Sequence, residues 1–154
     1  MNLERLKKQL IEDEGCKDHI YLDSKGIATF GIGHKLTKQD PEYYAYKNLP
    51  KGGILKITDD RISQAFKEDV DCACKASVNK IEDFYELPDQ IQEVVVNMIF
   101  NMGPSGFGLF KEFIKALAVK NYAVAVKEMK DSDWYRKDVP NRAARLINIV
   151  NSYA

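Results

Sequence analysis

A regular series of apolar residues between Ile91 and Met102 limits the possible folds of this chain more than any other feature. The series recurs at i, i+3, i+4, i+7, i+8 and i+11, which is the pattern of a helix that buries one face. Leu87-Pro88-Asp89 provides its start, and Gly103-Pro104-Ser105-Gly106 breaks it. Because such a helix needs other elements to cover it, the sequence predicts a globular domain with a helical core.

Further helices are predicted on both sides of this one. Leu3, Leu6, Leu10 and Ile11 indicate a short amphipathic helix that stops at Glu14-Gly15. Thr58 can cap a helix that reaches about Asn79. Residues 38–57 read as a loop with a short helix around Tyr43 to Lys47. Three later segments have helical spacing of apolar residues: Phe110 to Leu117, Tyr122 to Met129, and Pro140 to Val150.

A β-hairpin is predicted between the first two helices. Ile20 to Leu22 and Ile27 to Phe30 are rich in β-branched and aromatic residues, and Asp23-Ser24-Lys25-Gly26 between them has turn chemistry. With 154 residues the chain can bury one core as a single domain. We therefore expect an α+β fold, predominantly helical, with one small antiparallel sheet near the N-terminus.

Composition and charge give only weak indications of the partner. Lys plus Arg and Asp plus Glu both number 23, so net charge gives no argument for nucleic acid as a partner. From Lys111 onward nine basic residues face five acidic ones, which suits either an anionic cell wall or an ordinary solvated surface. Three cysteines are an odd number, so free thiols and a reducing cytoplasm are expected. Residues 1–8 lack the apolar core of a signal peptide.

Two acidic residues lie beside or within the predicted hairpin. Glu14 ends the first helix, Asp23 opens the turn, and Thr29 lies on the returning strand. Glycoside hydrolysis requires an acid and a second carboxylate, which Glu14 and Asp23 can supply. Each also has an ordinary explanation, since Glu14 is one acid of Glu12-Asp13-Glu14, Asp favours the first position of a turn, and Thr favours strands.

The spacing of this segment resembles the active-site segment of the T-even phage lysozymes and related endolysins, glycoside hydrolase family 24. The residues that carry the resemblance are Glu14-Gly15, Tyr21, Asp23, Gly26, Thr29, Gly31-Ile32-Gly33-His34 and Leu36-Thr37. Four downstream segments resemble the same family in the same order: Asp69-Val70-Asp71, the run from Asn97 to Gly103, Trp134-Tyr135, and Pro140-Asn141-Arg142-Ala143. The resemblance covers nearly the whole chain except residues 38–57.

This resemblance implies a two-lobed fold with the active-site cleft between the lobes. The N-terminal lobe would span about 12–57, a connecting helix about 58–80, and a helical C-terminal lobe about 81–154, with helix 1–11 packing on it. The implied activity is that of an endolysin and N-acetylmuramidase without cofactor. Such an enzyme cleaves the β-1,4 bond between N-acetylmuramic acid and N-acetylglucosamine, which lyses the bacterial wall and releases phage.

The resemblance also implies roles for individual residues. Glu14 would be the general acid, while Asp23 and Thr29 would place the attacking water in an inverting reaction. Arg142 would form an ion pair with the acid. The implied substrate-binding residues are Gly33, His34, Phe100 and Asn101. A metal site is not expected, because His19 is the only other histidine and no ligand spacing includes both.

Four residues depart from the family pattern in positions that line or flank the cleft. Lys35, Phe113, Glu128 and Asp133 stand where the T-even enzymes have leucine, serine, asparagine and arginine, so a different substrate fit is expected. The expected partner is bacterial peptidoglycan, with no nucleic acid and no stable membrane insertion, and the chain is expected to be a monomer. Synthesis in the host cytoplasm would then require a holin or lysis for access to the periplasmic wall. A lytic transglycosylase and a non-catalytic glycan-binding module remain alternatives.

Overall fold

The computed structural model describes residues 1–154 and has seven α-helices and one three-stranded antiparallel sheet. This confirms the α+β class. The strands are β1 (Lys17–Leu22), β2 (Ala28–Gly31) and β3 (His34–Lys35), in the order β1-β2-β3. The helices are α1 (Leu3–Glu14), α2 (Tyr43–Lys47), α3 (Asp59–Lys80), α4 (Asp89–Gly108), α5 (Lys111–Ala118), α6 (Tyr122–Lys130) and α7 (Pro140–Asn151).

The chain divides into two compact units. One contains residues 7–69, and the other contains residues 1–6 together with 70–154. The divisions fall inside α1 and α3, so the lobe limits given above stay a prediction. None of the helices combines the length and the apolar character that crossing a membrane requires.

The sheet of the unit 7–69 has one face in a small core. Ile20 and Phe30 are buried there with Ile57, Ile62 and Ala65. Successive side chains of a strand point to opposite faces, and directly paired residues share a face. The register pairs Tyr21 with Thr29 and Thr29 with Lys35, so these three residues lie on the face opposite this core.

Local signals placed most elements of this unit correctly, although they did not indicate strand β3. The backbone N–H of Gly26 donates to the carbonyl of Asp23 at 2.9 Å, which closes the predicted turn at a glycine with φ +76°. The short helix α2 covers the predicted residues. The hydroxyl oxygen of Thr58 accepts from the backbone N–H of Arg61 at 3.2 Å, as expected of a cap. These predictions are confirmed.

Helix α4 forms the core of the other unit, as its apolar series predicts. Ile91, Val94, Val95, Met98 and Ile99 are buried. The expectation that the helix ends at Gly103 is only partly right. Gly103 has non-helical angles (φ 76°, ψ 166°) and forms a kink, but a second helical segment follows directly after it. The next residue is a proline, which lacks an N–H and can begin a helix without losing a hydrogen bond.

The last three helices are also confirmed. Their inward faces contain the buried residues Phe113 and Leu117 on α5, Ala125, Val126 and Met129 on α6, and Ala143, Leu146, Ile147 and Val150 on α7. A short 3-10 turn at Phe84–Glu86 and a π-helical turn at Trp134–Asp138 were not predicted. Cys16, Cys72 and Cys74 are free thiols, as expected.

The first helix is less amphipathic than its sequence suggests. Leu6 and Leu10 are fully buried, whereas Leu3 and Ile11 are 56% and 38% exposed. In the first turn, Arg5 forms two hydrogen bonds with the buried carboxylate of Glu93, at 2.7 and 2.8 Å. This ion pair attaches residues 1–6 to α4 within their unit.

Candidate active site

The turn between β1 and β2 holds the Asp23 carboxylate by one oxygen. Its Oδ1 accepts the backbone N–H groups of Lys25 and Ile27, both at 2.8 Å. The other oxygen, Oδ2, accepts no hydrogen bond from the protein. The bond from Ile27 lowers the pKa of Asp23 most. Burial opposes it, but the bond from Lys25 and the charges of Lys35 and Lys25 add to the lowering, so the pKa of Asp23 lies below its ordinary value. Asp23 is therefore an ionised carboxylate with one free acceptor oxygen.

Thr29 stands on β2, across from Tyr21 and Lys35. Its side chain is buried, and its hydroxyl donates to the carbonyl oxygen of Ile27 at 2.9 Å. Because the hydroxyl proton is used in this bond, the Thr29 oxygen offers only its acceptor capacity to a ligand or a water.

Glu14 is the last residue of α1 and is half-buried. A methyl group added at Gly33 would lie 3.0 Å from the Cβ, Cγ and Oε2 atoms of Glu14. Gly33 also has φ +64°, a conformation that side chains other than glycine rarely adopt. The turn between β2 and β3 therefore approaches the Glu14 carboxylate closely because residue 33 has no side chain.

Tyr21 lies in the electrostatic field of both carboxylates. Burial raises the pKa of its phenol, and the negative charges of Glu14 and Asp23 raise it further. The sequence indicated no role for Tyr21 beyond its place in the segment that resembles the family. The structure thus brings Glu14, Tyr21, Asp23 and Thr29 to one side of the unit 7–69.

His34 has both ring nitrogens within hydrogen-bond distance of carboxylates. Its Nδ1 lies 2.8 Å from Asp69, and its Nε2 lies 3.0 Å from Asp40. Arg61 extends the network by donating to Asp40 at 3.0 Å and to Glu42 at 2.6 Å. Burial opposes the charged imidazole, but the hydrogen bonds and charges of Asp69 and Asp40 outweigh it and raise the pKa of His34. A substrate contact of His34 stays a prediction.

The remaining predicted residues lie in the other unit. The side-chain oxygen of Asn101 accepts from the indole N–H of Trp134 at 2.8 Å, and Phe100 is half-buried. Arg142 is buried and donates from Nε to the side-chain oxygen of Asn97 at 2.8 Å. Asn97 lies in one of the segments that resemble the family, but the sequence indicated no role for it. Substrate binding by Phe100 and Asn101, and the ion pair of Arg142 with Glu14, stay predictions.

Three of the four departures from the family pattern share one groove. The groove has a volume of about 600 Å³ and is lined by Phe113, Glu128 and Asp133 together with Phe110 and Trp134. Phe110 meets Trp134 edge to face, with ring centroids 6.0 Å apart. The fourth departure, Lys35, lies on β3 beside Thr29.

Comparison with known proteins places this chain in a family. The model of the phage lysozyme family matches residues 11–146. Two probable T4-type lysozymes of Dictyostelium discoideum are 32% identical over 160 residues, which cover 96% of this chain and 94% of each relative. The pre-baseplate central spike protein Gp5 of Enterobacteria phage T4 is 27% identical over 157 residues, which cover 94% of this chain and 27% of that protein. The chain therefore belongs to the phage lysozyme family, and this membership makes it a lysozyme-like peptidoglycan hydrolase, a glycosidase.

Proposed function

We propose that this lysozyme cleaves the β-1,4 bond between N-acetylmuramic acid and N-acetylglucosamine with inversion of configuration. Glu14 acts as the general acid, and Asp23 and Thr29 place the attacking water. The observation that carries the proposal is the pair of unused acceptor positions on Asp23 and Thr29.

The hydrogen-bond inventory of the two residues supports a water between them. A water has two protons to donate, and Asp23 Oδ2 and the Thr29 hydroxyl oxygen are two acceptors on neighbouring strand and turn positions. A water that donates both protons keeps a lone pair for attack on the anomeric carbon. An ionised Asp23 is the stronger acceptor for this water and can take its proton as a base, and the lowered pKa of Asp23 favours the ionised form.

The position of Glu14 suits the role of general acid. A general acid protonates the departing glycosidic oxygen, while the sugar develops oxocarbenium character. In this mechanism the two carboxyl groups stand about 6.5 to 9.5 Å apart, which leaves room for the water, whereas about 5 to 5.5 Å would favour a covalent intermediate on Asp23. The close approach of Gly33 limits the positions that the Glu14 side chain can take.

Two alternatives make different products. A lytic transglycosylase closes an anhydro ring and uses no water, so it needs no acceptor pair such as Asp23 and Thr29. A glycan-binding module releases no product. The acceptor pair on the hairpin favours hydrolysis over both.

The test is digestion of purified peptidoglycan in water enriched in oxygen-18, with mass spectrometry of the muropeptides and early proton spectra of the new anomeric centre. One labelled oxygen at a reducing muramic end, first present as the α-anomer, is expected. If the β-anomer appears first, the reaction proceeds with retention and not with inversion. An unlabelled anhydro end would indicate a transglycosylase. Binding without any product would indicate the glycan-binding module.

A separate proposal concerns the biological setting. We propose that the protein acts as a monomer on the wall, is made in the host cytoplasm and depends on a holin to release phage. The three free thiols support synthesis in a reducing compartment. Expression with and without a holin tests this, and lysis of equal rate in both cultures would contradict it.

A further inference from the structure

The segment of residues 38–53 directs its acidic side chains inward and its basic side chains outward. Arg61 pairs with Glu42 at 2.6 Å and with Asp40 at 3.0 Å, and these two carboxylate side chains are only 15% and 9% exposed. The other charged residues of the segment are exposed lysines: Lys38, Lys47 and Lys51. None of these three ammonium groups forms an ion pair. The exposed charges of this segment are therefore all positive.

Two tyrosine rings of α2 lie beside one of these lysines. The rings of Tyr43 and Tyr44 meet edge to face with centroids 5.2 Å apart, and the Lys47 ammonium lies 5.1 Å from the Tyr43 centroid. Tyr44 is 66% exposed, and Tyr43 is half-buried. We call Tyr43, Tyr44 and Lys47 the α2 surface. Because the contact with Tyr43 already restricts Lys47, a ligand loses less affinity to ordering of this side chain.

The α2 surface belongs to the core side of the sheet. Tyr46, the third tyrosine of the helix, packs against the core that contains Ile20 and Phe30. Tyr21 and Thr29 lie on the other face of the sheet. The α2 surface is thus separate from the residues that are proposed to act on the scissile bond.

An exposed aromatic ring next to a cation fits a sugar polymer that carries carboxylates. The ring can pack on the C–H face of a sugar, and the ammonium group can pair with a carboxylate. Peptidoglycan supplies both, because its strands are chains of sugar rings and the peptides attached to them bear carboxylates. A membrane fits less well, since α2 has only five residues and directs Tyr46 inward, which leaves no continuous apolar face to insert.

We propose that the α2 surface is a second binding site for peptidoglycan, at which Tyr44 packs on a sugar ring and Lys47 pairs with a carboxylate of the strand. The identity of this ligand rests on the proposed function. The site attaches the enzyme to a part of the polymer that is not being cleaved. It should therefore govern binding to the insoluble wall and leave the turnover of short soluble fragments unchanged.

The test measures sedimentation with insoluble purified peptidoglycan in a Glu14→Gln background, which prevents turnover during the assay. Tyr44→Ala and Lys47→Gln should each weaken binding about threefold to tenfold. Tyr85→Ala is the matched control, because Tyr85 is 65% exposed and meets Phe84 edge to face at 5.1 Å but is flanked by acidic residues in the chain. It should change binding less than about twofold. When the peptidoglycan carboxylates are converted to amides, Lys47→Gln should bind as well as its parent.

Activity and a membrane probe separate the possible outcomes. With Glu14 restored, Tyr44→Ala and Lys47→Gln should slow lysis of the intact wall and keep the wild-type kcat/KM on short soluble fragments. Equal binding to peptidoglycan by these variants and Tyr85→Ala would overturn the α2 surface and leave the proposed function intact. Reduced binding to vesicles of anionic phospholipid, with unchanged binding to peptidoglycan, would also overturn it. If the wild type binds peptidoglycan through Tyr44 and Lys47 but cleaves none, the α2 surface stands and the proposed function fails.

Discussion

Replacing His34 by asparagine should destabilise the protein much more at acidic than at alkaline pH. The His34 side chain is only 11% exposed and contacts two carboxylates, Asp69 at 2.8 Å and Asp40 at 3.0 Å. A hydrogen bond to a charged group contributes about 1.5 to 3 kcal/mol, and burial of the imidazolium offsets part of the two contributions. We expect a net loss of about 3 kcal/mol where His34 is charged. For a chain of this size the melting temperature should fall by about 6 to 12 °C.

The direction of the pH dependence follows from the two pKa shifts. Burial opposes the charge on His34, but Asp69 and Asp40 raise its pKa, so its contribution is complete below the unfolded value of about 6.5 and disappears as pH rises through the folded pKa. Burial also opposes the charge on Asp40, but the Thr37 backbone N–H and His34 lower its pKa. The contribution of Asp40 is complete above the unfolded value of about 3.9 and is lost as pH falls through its folded pKa. The effect of His34→Asn should therefore be largest between roughly pH 4 and pH 6.5.

Thermal unfolding followed by circular dichroism at about pH 5 and at about pH 9 measures this difference. His19 supplies the matched control, since it pairs with Asp18 at 3.0 Å on the surface, where both side chains are exposed. His19→Asn should change stability by less than about 1 kcal/mol at either pH. Equal losses of melting temperature for His34→Asn at the two pH values would refute the assignment of a charged His34 to this network.

Two further predictions concern single contacts. Arg5→Met should lower the free energy of unfolding in urea, because it leaves the fully buried carboxylate of Glu93 with only the Asn2 backbone N–H at 2.8 Å as a donor, and the double variant Arg5→Met/Glu93→Met should be more stable than Arg5→Met alone. A double variant as unstable as the single one would contradict this. Gly33→Ala should lower both stability, by about 1 kcal/mol or more, and lysis of peptidoglycan, since its Cβ would meet Glu14 at 3.0 Å. Gly52→Ala, also at positive φ but with nothing within 4 Å, should lower stability alone; equal lysis by the two variants would contradict the close approach to Glu14.

Elements that depend on local rules were predicted well from the sequence. The hairpin at Asp23 and the cap at Thr58 need only a few neighbouring residues, and the apolar face of α4 needs only its own periodicity. The same rules failed at Gly103, where the turn signals are real but the following proline also permits a new helix. Local chemistry allowed both outcomes there.

The candidate site was predictable only in its residue types. Contacts between residues far apart in the chain, such as His34 with Asp69 and Trp134 with Asn101, leave no trace in spacing or composition. The orientation of the Thr29 hydroxyl and the free oxygen of Asp23 depend on hydrogen bonds that only coordinates reveal. Family resemblance therefore indicated which side chains matter, and the structure supplied the hydrogen-bond inventory on which the proposed mechanism rests.

The most direct test of the proposed mechanism is the rate of reducing-end release from purified peptidoglycan by Asp23→Asn. The wild type serves as the reference, and Asp18→Asn, which removes an exposed carboxylate from β1, serves as the matched control. If Asp23 places the attacking water, Asp23→Asn should lose about 100-fold or more of the rate while remaining folded, and Asp18→Asn should keep the wild-type rate. Wild-type release of reducing ends by Asp23→Asn would show that another group activates the water.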